Sequence, residues 1–201
     1  MTDFSQKHAK TNYPVLTEIA ERWSPYLYEP REVEKAKLQS CLEAARWSAS
    51  SYNEQPWRFI VATRDNPEQF QQALDCLLEA NQVWAKNVGV LILTAYSTQF
   101  SRNNQPNRVA FHDLGLAAAN LSIQAVHLGL HVHQMAGINP AKVRQTYHVP
   151  EGIEIGTAIA IGYAAPIDDS DLGERDKAAR SRKPFQEFVF ADQWGQPAGI
   201  I

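Results

Sequence analysis

An α+β chain, with a mixed sheet and helices packed on it, is the fold class that the sequence predicts. Two apolar runs, Val88–Ala95 (VGVLILTA) and Ile155–Tyr163 (IGTAIAIGY), lack a polar face, as strands buried on both sides require. Helical periodicity fills the stretches between the strand-like runs, and a long gap precedes the last of them. The chain has 201 residues, 44% hydrophobic and 20% charged, which suits one core and one domain over residues 1–201.

The elements follow in order. Glu32–Trp47 carries Leu38, Cys41, Leu42 and Ala45 at the spacing of one helix face. Arg58–Thr63 (RFIVAT) follows Pro56 and is β-branched and aromatic, hence a strand. Asn66 and Pro67 suit the cap and first position of a helix that Phe70, Ala73, Leu74, Leu77 and Leu78 continue. Val88–Ala95 is the central strand. Ser97–Arg108 is polar and aperiodic, and is expected to be a mobile, exposed loop near the site. From Ala110 to Leu130 the apolar and small residues mark a central buried helix, which Gly129 stops. Val132–Ala136 runs extended, Asn139 and Pro140 restart a short helix to Tyr147, and Ile155–Tyr163 is a second buried strand. Asp168–Lys183 is charged enough to be a solvated connection, and Glu187–Phe190 is expected to add a final strand.

Composition and missing motifs exclude several functions. A net charge of -3 offers no basic field for nucleic acid. No run approaches the roughly 20 apolar residues of a membrane span, and the first residues hold no apolar signal core, so a cytoplasmic location is expected. Cys41 and Cys76 are two, far apart and on apolar helix faces, so core positions are expected for both. There is no G-x-S-x-G, P-loop, G-x-G-x-x-G or C-x-x-C. His127, His131 and His133 cluster, but Gly129 interrupts their helix and no third ligand follows closely, so no metal is expected.

Four segments remain. Arg22-Trp23-Ser24 ends a helix and can aim a guanidinium and a hydroxyl at one phosphate, although a surface arginine beside a turn serine has the same pattern. Ser50-Ser51-Tyr52-Asn53-Glu54-Gln55-Pro56-Trp57 is a polar turn whose hydroxyls and carboxamides either bind a polar ligand or only shape the turn. Gln134-Met135-Ala136-Gly137 follows the central helix, and glycine there permits close backbone approach or a simple chain break. Arg180-Ser181-Arg182-Lys183-Pro184 is a basic run that is either a solvated face or an anion site.

Together these segments resemble the nitroreductase family, whose signature turn Ser-x-x-Asn-x-Gln-Pro-Trp is matched by Ser50, Asn53, Gln55, Pro56 and Trp57. The resemblance implies an α-β-α sandwich with a mostly antiparallel sheet, non-covalent FMN, NAD(P)H as co-substrate and a homodimer with shared sites. It implies that Arg22, Ser24, Arg180 and Arg182 hold the phosphate, with Trp23 beside them. Asn81, Gln134, Met135, Ala136 and Gly137 would lie near the flavin ring, with Ser50, Ser51 and Asn53 coming from the other subunit and Gln55 also binding the cofactor. It also implies ping-pong reduction of a nitroaromatic, a quinone or a similar acceptor, with hydride carried at flavin N5 and no side chain assigned as catalytic. Relatives of this fold also dehalogenate, dehydrogenate, break down flavin or bind it without catalysis. Three positions depart from the family pattern: Tyr26 replaces a basic residue, Ala49 a proline and Trp84 a lysine.

Overall fold

The two apolar runs form the middle of the sheet. In the computed structural model, which describes residues 3–200, β1 (Trp57–Thr63), β2 (Val90–Ser97), β3 (His131–Met135) and β4 (Ile153–Gly162) stand in the order β1-β2-β4-β3. All three pairings are antiparallel, so the mostly antiparallel part of the expectation holds, while the parallel pairing that a mixed sheet would include is absent among the described residues. Because strand side chains alternate, β2 buries Leu91 and Leu93 on one face and Val90 and Ile92 on the other. The same alternation splits Ala158 and Ala160 of β4 from Ile159 and Ile161.

Each face receives its own helices, which makes the α-β-α sandwich. Among the described residues these are α1 (Thr17–Glu21), α2 (Lys35–Arg46), α3 (Pro67–Leu74), α4 (Glu79–Ala85), α5 (Ala110–His127), α6 (Pro140–Thr146) and α7 (Asp171–Lys177). Phe70 and Leu74 of α3, Trp84 of α4 and Val143 of α6 pack on the first face. Leu38, Cys41 and Ala45 of α2 meet Leu114, Ala117, Leu121 and Ala125 of α5 on the second, where small residues let the two helices approach closely. Both cysteines are buried. At Gly156 an added Cβ would sit 2.7 Å from Thr94 Oγ1, at the register shift between β2 and β4 where that hydroxyl donates to the Thr157 carbonyl at 2.9 Å.

Four expectations need correction. The helix over Pro67 stops at Leu74 instead of reaching Leu78, because Leu77 bridges Ile138 and the Cys76 carbonyl takes the Asn139 N–H at 2.8 Å. The loop after β2 is not shapeless: a Gln99–Pro106 bridge and a 2.8 Å bond from Phe100 N–H to the Gln105 carbonyl close it into a lobe. The charged connection holds α7, capped by the Ser170 hydroxyl at 3.1 Å from Gly173 N, and it buries Asp176. No strand forms at Glu187–Phe190. The tail folds on itself there, with Ala198 N–H on the Val189 carbonyl at 3.1 Å, so its backbone is satisfied without a sheet partner.

His131, at the start of β3, packs edge-on to Phe4 and Trp23 with its Nδ1 buried and unpartnered. Burial holds its pKa down to about 4. The folded state therefore refuses a proton that the unfolded chain accepts near its ordinary value of about 6.5, so stability falls as pH drops from there toward 4. The loss reaches about 3 kcal/mol. Burial depresses His133 in the same direction, while Asp176, whose carboxyl burial raises, opposes it at the acid end. Subtracting the urea-unfolding profile of His131→Phe from that of the parent isolates the effect: a positive slope between pH 4 and 6.5 is expected, and parallel profiles would refute it.

Candidate active site

Two cations, one buried and one half-buried, draw the segments around Lys7 and Arg180 to one place. Lys7 is almost fully buried and donates to the carbonyls of Asp176 at 2.5 Å and Ala178 at 2.7 Å. Arg180 returns the contact, donating to the Lys7 carbonyl and, at 2.8 Å, to that of Ala20. Asp176 in turn accepts the Tyr26 N–H at 2.9 Å and the Leu27 N–H at 2.9 Å, which fixes the chain just after Ser24. Nothing local in the sequence encodes this clasp, since its partners lie 149 to 173 residues apart.

The clasp assembles three arginines. Arg22, whose Nη1 donates to Ser24 Oγ at 3.2 Å, has its pKa lowered by burial and then by the charge of Arg182. Arg180 is lowered by burial, then by Arg22 and Arg182. Among the described residues none of the three forms an ion pair with a carboxylate, whereas Arg31, Arg46 and Arg144 all do. Three crowded cations without a counter-ion are what an anion would relieve.

Beside them is a cavity of about 330 Å³ lined by Arg22, Ser24, Ala119, Ser122, Ile123, Val132 and Gln134. Gln134 Nε2 is held at 3.1 Å from Ser122 Oγ, which itself donates to the Ala118 carbonyl at 2.7 Å. The cavity runs beside β3, the unpaired edge of the sheet. From Val132 to Ala136 that strand spans about 13 Å, and it leads to the backbone of Ala136 and Gly137. Neither residue's N–H meets an acceptor among the described residues, while Met135 is buried on the sheet. Asn81, expected at the ring edge, instead donates Nδ2 to the Gly137 carbonyl at 2.9 Å. An added Cβ at Gly137 would lie 2.4 Å from that Nδ2, so glycine is needed here for Asn81 as well as for close approach by a ligand.

The Ser50–Gln55 turn lies elsewhere on the protomer. Its Ser51 N–H is anchored 3.1 Å from the buried carboxylate of Asp113, in the first turn of α5, whereas Ser122 of the cavity lies nine residues further along that helix, about 13 Å away. Tyr52, Asn53 and Gln55 all adopt left-handed backbone, with φ of 53, 56 and 52°. Such strain persists where surroundings enforce it, and it clusters at functional sites. Ser50 Oγ receives Gln55 N–H at 3.0 Å, Glu54 receives Ser101 N–H at 2.9 Å, and the Arg102 guanidinium stacks 3.9 Å from the Tyr52 ring.

The expected residues thus fall into two groups. Arg22, Ser24 and Gln134 line the cavity beside β3, with Arg180 and Arg182 within charge–charge reach of Arg22 and with Ala136 and Gly137 following the strand, while Ser50, Ser51, Asn53 and Gln55 form a second patch, half-buried to exposed. Trp23 turns its side chain away, into a core with Phe4 and His131. The sequence reading missed Lys7, Asp113, Ser122 and Asp176. Ser122, a lone hydroxyl on the apolar stripe of a buried helix, could have been found; Asp176, one acid in a charged run, could not.

The model of the nitroreductase family matches residues 19–163. An uncharacterised 15.4 kDa protein of Mycolicibacterium smegmatis is 30% identical over 148 residues, covering 70% of this chain and 99% of that protein. The major NAD(P)H-flavin oxidoreductase of Aliivibrio fischeri is 25% identical, covering 88% of this chain and 98% of its own. A crystal structure described as an oxidoreductase containing FMN superposes with a TM-score of 0.86 and 32% identity, over 96% of this chain and 98% of the other. A nitroreductase family protein of Clostridium difficile has the same fold at a TM-score of 0.70 and 24% identity, over 90% and 99% of the two chains.

Proposed function

Because the chain belongs to the nitroreductase family and is an NAD(P)H-dependent FMN oxidoreductase, we propose that it reduces a nitroaromatic, quinone or similar electrophile in ping-pong order. Donor and acceptor would occupy one place in turn. The whole chain would act as a single FMN-binding domain, in the cytoplasm, where reduced nicotinamides are held. The observation that carries the reading is the cluster of arginines that pairs with no carboxylate among the described residues, beside a cavity on β3 that leads to the Ala136 and Gly137 N–H groups, which meet no acceptor there.

FMN, when bound, supplies the redox chemistry, accepting hydride from NAD(P)H and giving electrons to the acceptor. The chain supplies binding and electrostatics. Arg22 and Arg182 would hold the phosphate with the Ser24 hydroxyl, while Arg180 is spent on main-chain carbonyls and adds charge at a distance. The Ala136 and Gly137 N–H groups would donate to the acceptor atoms along the ring edge, which stabilises negative charge arriving there. Trp84 stands wholly buried where a cation is frequent in the family, so that duty falls to the amides.

A homodimer would complete the site by bringing a second copy's Ser50, Ser51 and Asn53 to this cavity. Exposed apolar residues support it: Phe111 and Leu116 on α5, Leu16 and Ile19 at α1, and Trp194 at 93% exposure in the tail. Anaerobic titration with NADH and NADPH, following flavin absorbance, tests the assignment and resolves which donor is used. Bleaching by at least one nicotinamide in a dimeric, yellow protein is expected. A colourless protein that takes up no added FMN, or a flavin that neither donor reduces, would overturn it.

A further inference from the structure

Trp84 is fully buried, at 0% exposure, and its ring stacks on His133 with centroids 4.4 Å apart. An indole N–H is a donor with no acceptor capacity, so at this depth it needs an oxygen. It finds Asn81 Oδ1 at 3.3 Å. That contact decides which way the Asn81 carboxamide faces: oxygen toward Trp84, and therefore Nδ2 toward the Gly137 carbonyl at 2.9 Å. The Leu78 N–H donates to the same carbonyl, also at 2.9 Å, so the oxygen is held from two sides.

Peptide planarity carries the constraint onward. Fixing the Gly137 carbonyl fixes the plane it shares with the Ile138 N–H, and that N–H donates to the Ala136 carbonyl at 2.8 Å. The Ala136 carbonyl shares its own plane with the Gly137 N–H, which in a trans peptide points the opposite way. The Gly137 N–H is therefore turned out of the loop, where no acceptor meets it among the described residues.

We propose that Trp84 is a positioning residue: through the Asn81 carboxamide and two successive peptide planes, its indole N–H aims the Gly137 N–H at the flavin. The inference rests on the FMN reading above and assigns a role to the one position where tryptophan replaces the family's frequent lysine. Trp84 touches neither cofactor nor substrate in this role. It sets the electronics of the site from one layer away.

Trp84→Phe keeps the stacked ring and removes the N–H, and Asn81→Ala removes the carboxamide at a half-buried position that tolerates truncation. In the FMN-free protein, hydrogen exchange at Gly137–Ile138 is expected to quicken in both variants. In the loaded protein, FMN remains stoichiometric, the flavin potential becomes more negative, and reduction by NAD(P)H slows about 10-fold, the scale of one lost hydrogen bond to developing charge. Because the two residues act in series, the double variant should be no slower than Asn81→Ala alone. Additive rate losses, an unchanged potential or unchanged exchange would overturn the proposal. Should Trp84→Phe fail to fold, Asn81→Ala alone decides by the same potential and exchange readouts. Failure of the parent chain to take up FMN would sink the functional reading and this inference with it, whereas a normal flavin with unmoved variants sinks the inference alone.

Discussion

Arg22→Ala combined with Arg182→Ala is expected to strip FMN from the protein and leave the fold intact. Each guanidinium would give the phosphate charge-assisted hydrogen bonds worth about 1.5–3 kcal/mol, so losing both should weaken FMN binding by roughly 10²- to 10⁴-fold. The fold should survive because neither arginine is paired with a carboxylate among the described residues and the two repel: burial and the charge of Arg182 both depress Arg22. Removing them from the empty protein leaves no anion unpaired. Fluorescence quenching titrations of FMN, with circular dichroism as the check on folding, measure this. Stoichiometric FMN in the double variant would show that the phosphate sits elsewhere. Arg180→Ala should behave differently. Its guanidinium holds the Lys7 and Ala20 carbonyls, so its loss should lower stability and FMN affinity together.

The other large effect is expected from Asp176→Ala. This carboxylate accepts the Tyr26 N–H through Oδ1 at 2.9 Å and Oδ2 at 3.1 Å, and the Leu27 N–H at 2.9 Å, while burial raises its pKa. Alanine would leave two amides unsatisfied and the buried Lys7 without a compensating charge, at a cost of about 3–5 kcal/mol. In a chain of this size that is roughly a 10 °C fall in Tm. Asp176→Asn should fall between the two, since an amide oxygen can keep one of the N–H groups. A fall below about 1 kcal/mol for the alanine variant, measured by urea unfolding, would mean that water satisfies the amides and the clasp is not structural. FMN affinity should drop with Asp176→Ala as well, because the same bonds hold the backbone that carries Arg22 and Ser24.

How far the sequence could be read differs between the sheet and the site. Val90–Ser97 and Ile153–Gly162 announce themselves because burial on both faces forces a continuous apolar run, and α2 and α5 because burial on one side forces a 3.6-residue period. That Ser50–Gln55 is a turn was also legible, since Ser and Asn ahead of Pro56 favour one, and the left-handed Tyr52, Asn53 and Gln55 form it. The break after Leu74 was not legible. Leu77 is as apolar in a bridge to Ile138 as it would be on a helix, so periodicity cannot separate the two. The tail strand failed for a related reason: a β-prone tetrapeptide needs a neighbouring edge, and local sequence does not say whether one is there.

By itself, then, the sequence determined the four sheet strands and the main helices, because each depends on side-chain chemistry repeated over a few neighbouring residues, while the candidate phosphate ligands came only with the family resemblance. The tertiary structure alone decided which of those ligands are free to bind. It spends Arg180 on carbonyls, leaves Arg22 and Arg182 without counter-ions, turns Trp23 into the core and commits Asn81 to Gly137. Those outcomes depend on hydrogen bonds between groups as much as 173 residues apart, and a donor's partner at that distance is set by how the chain packs.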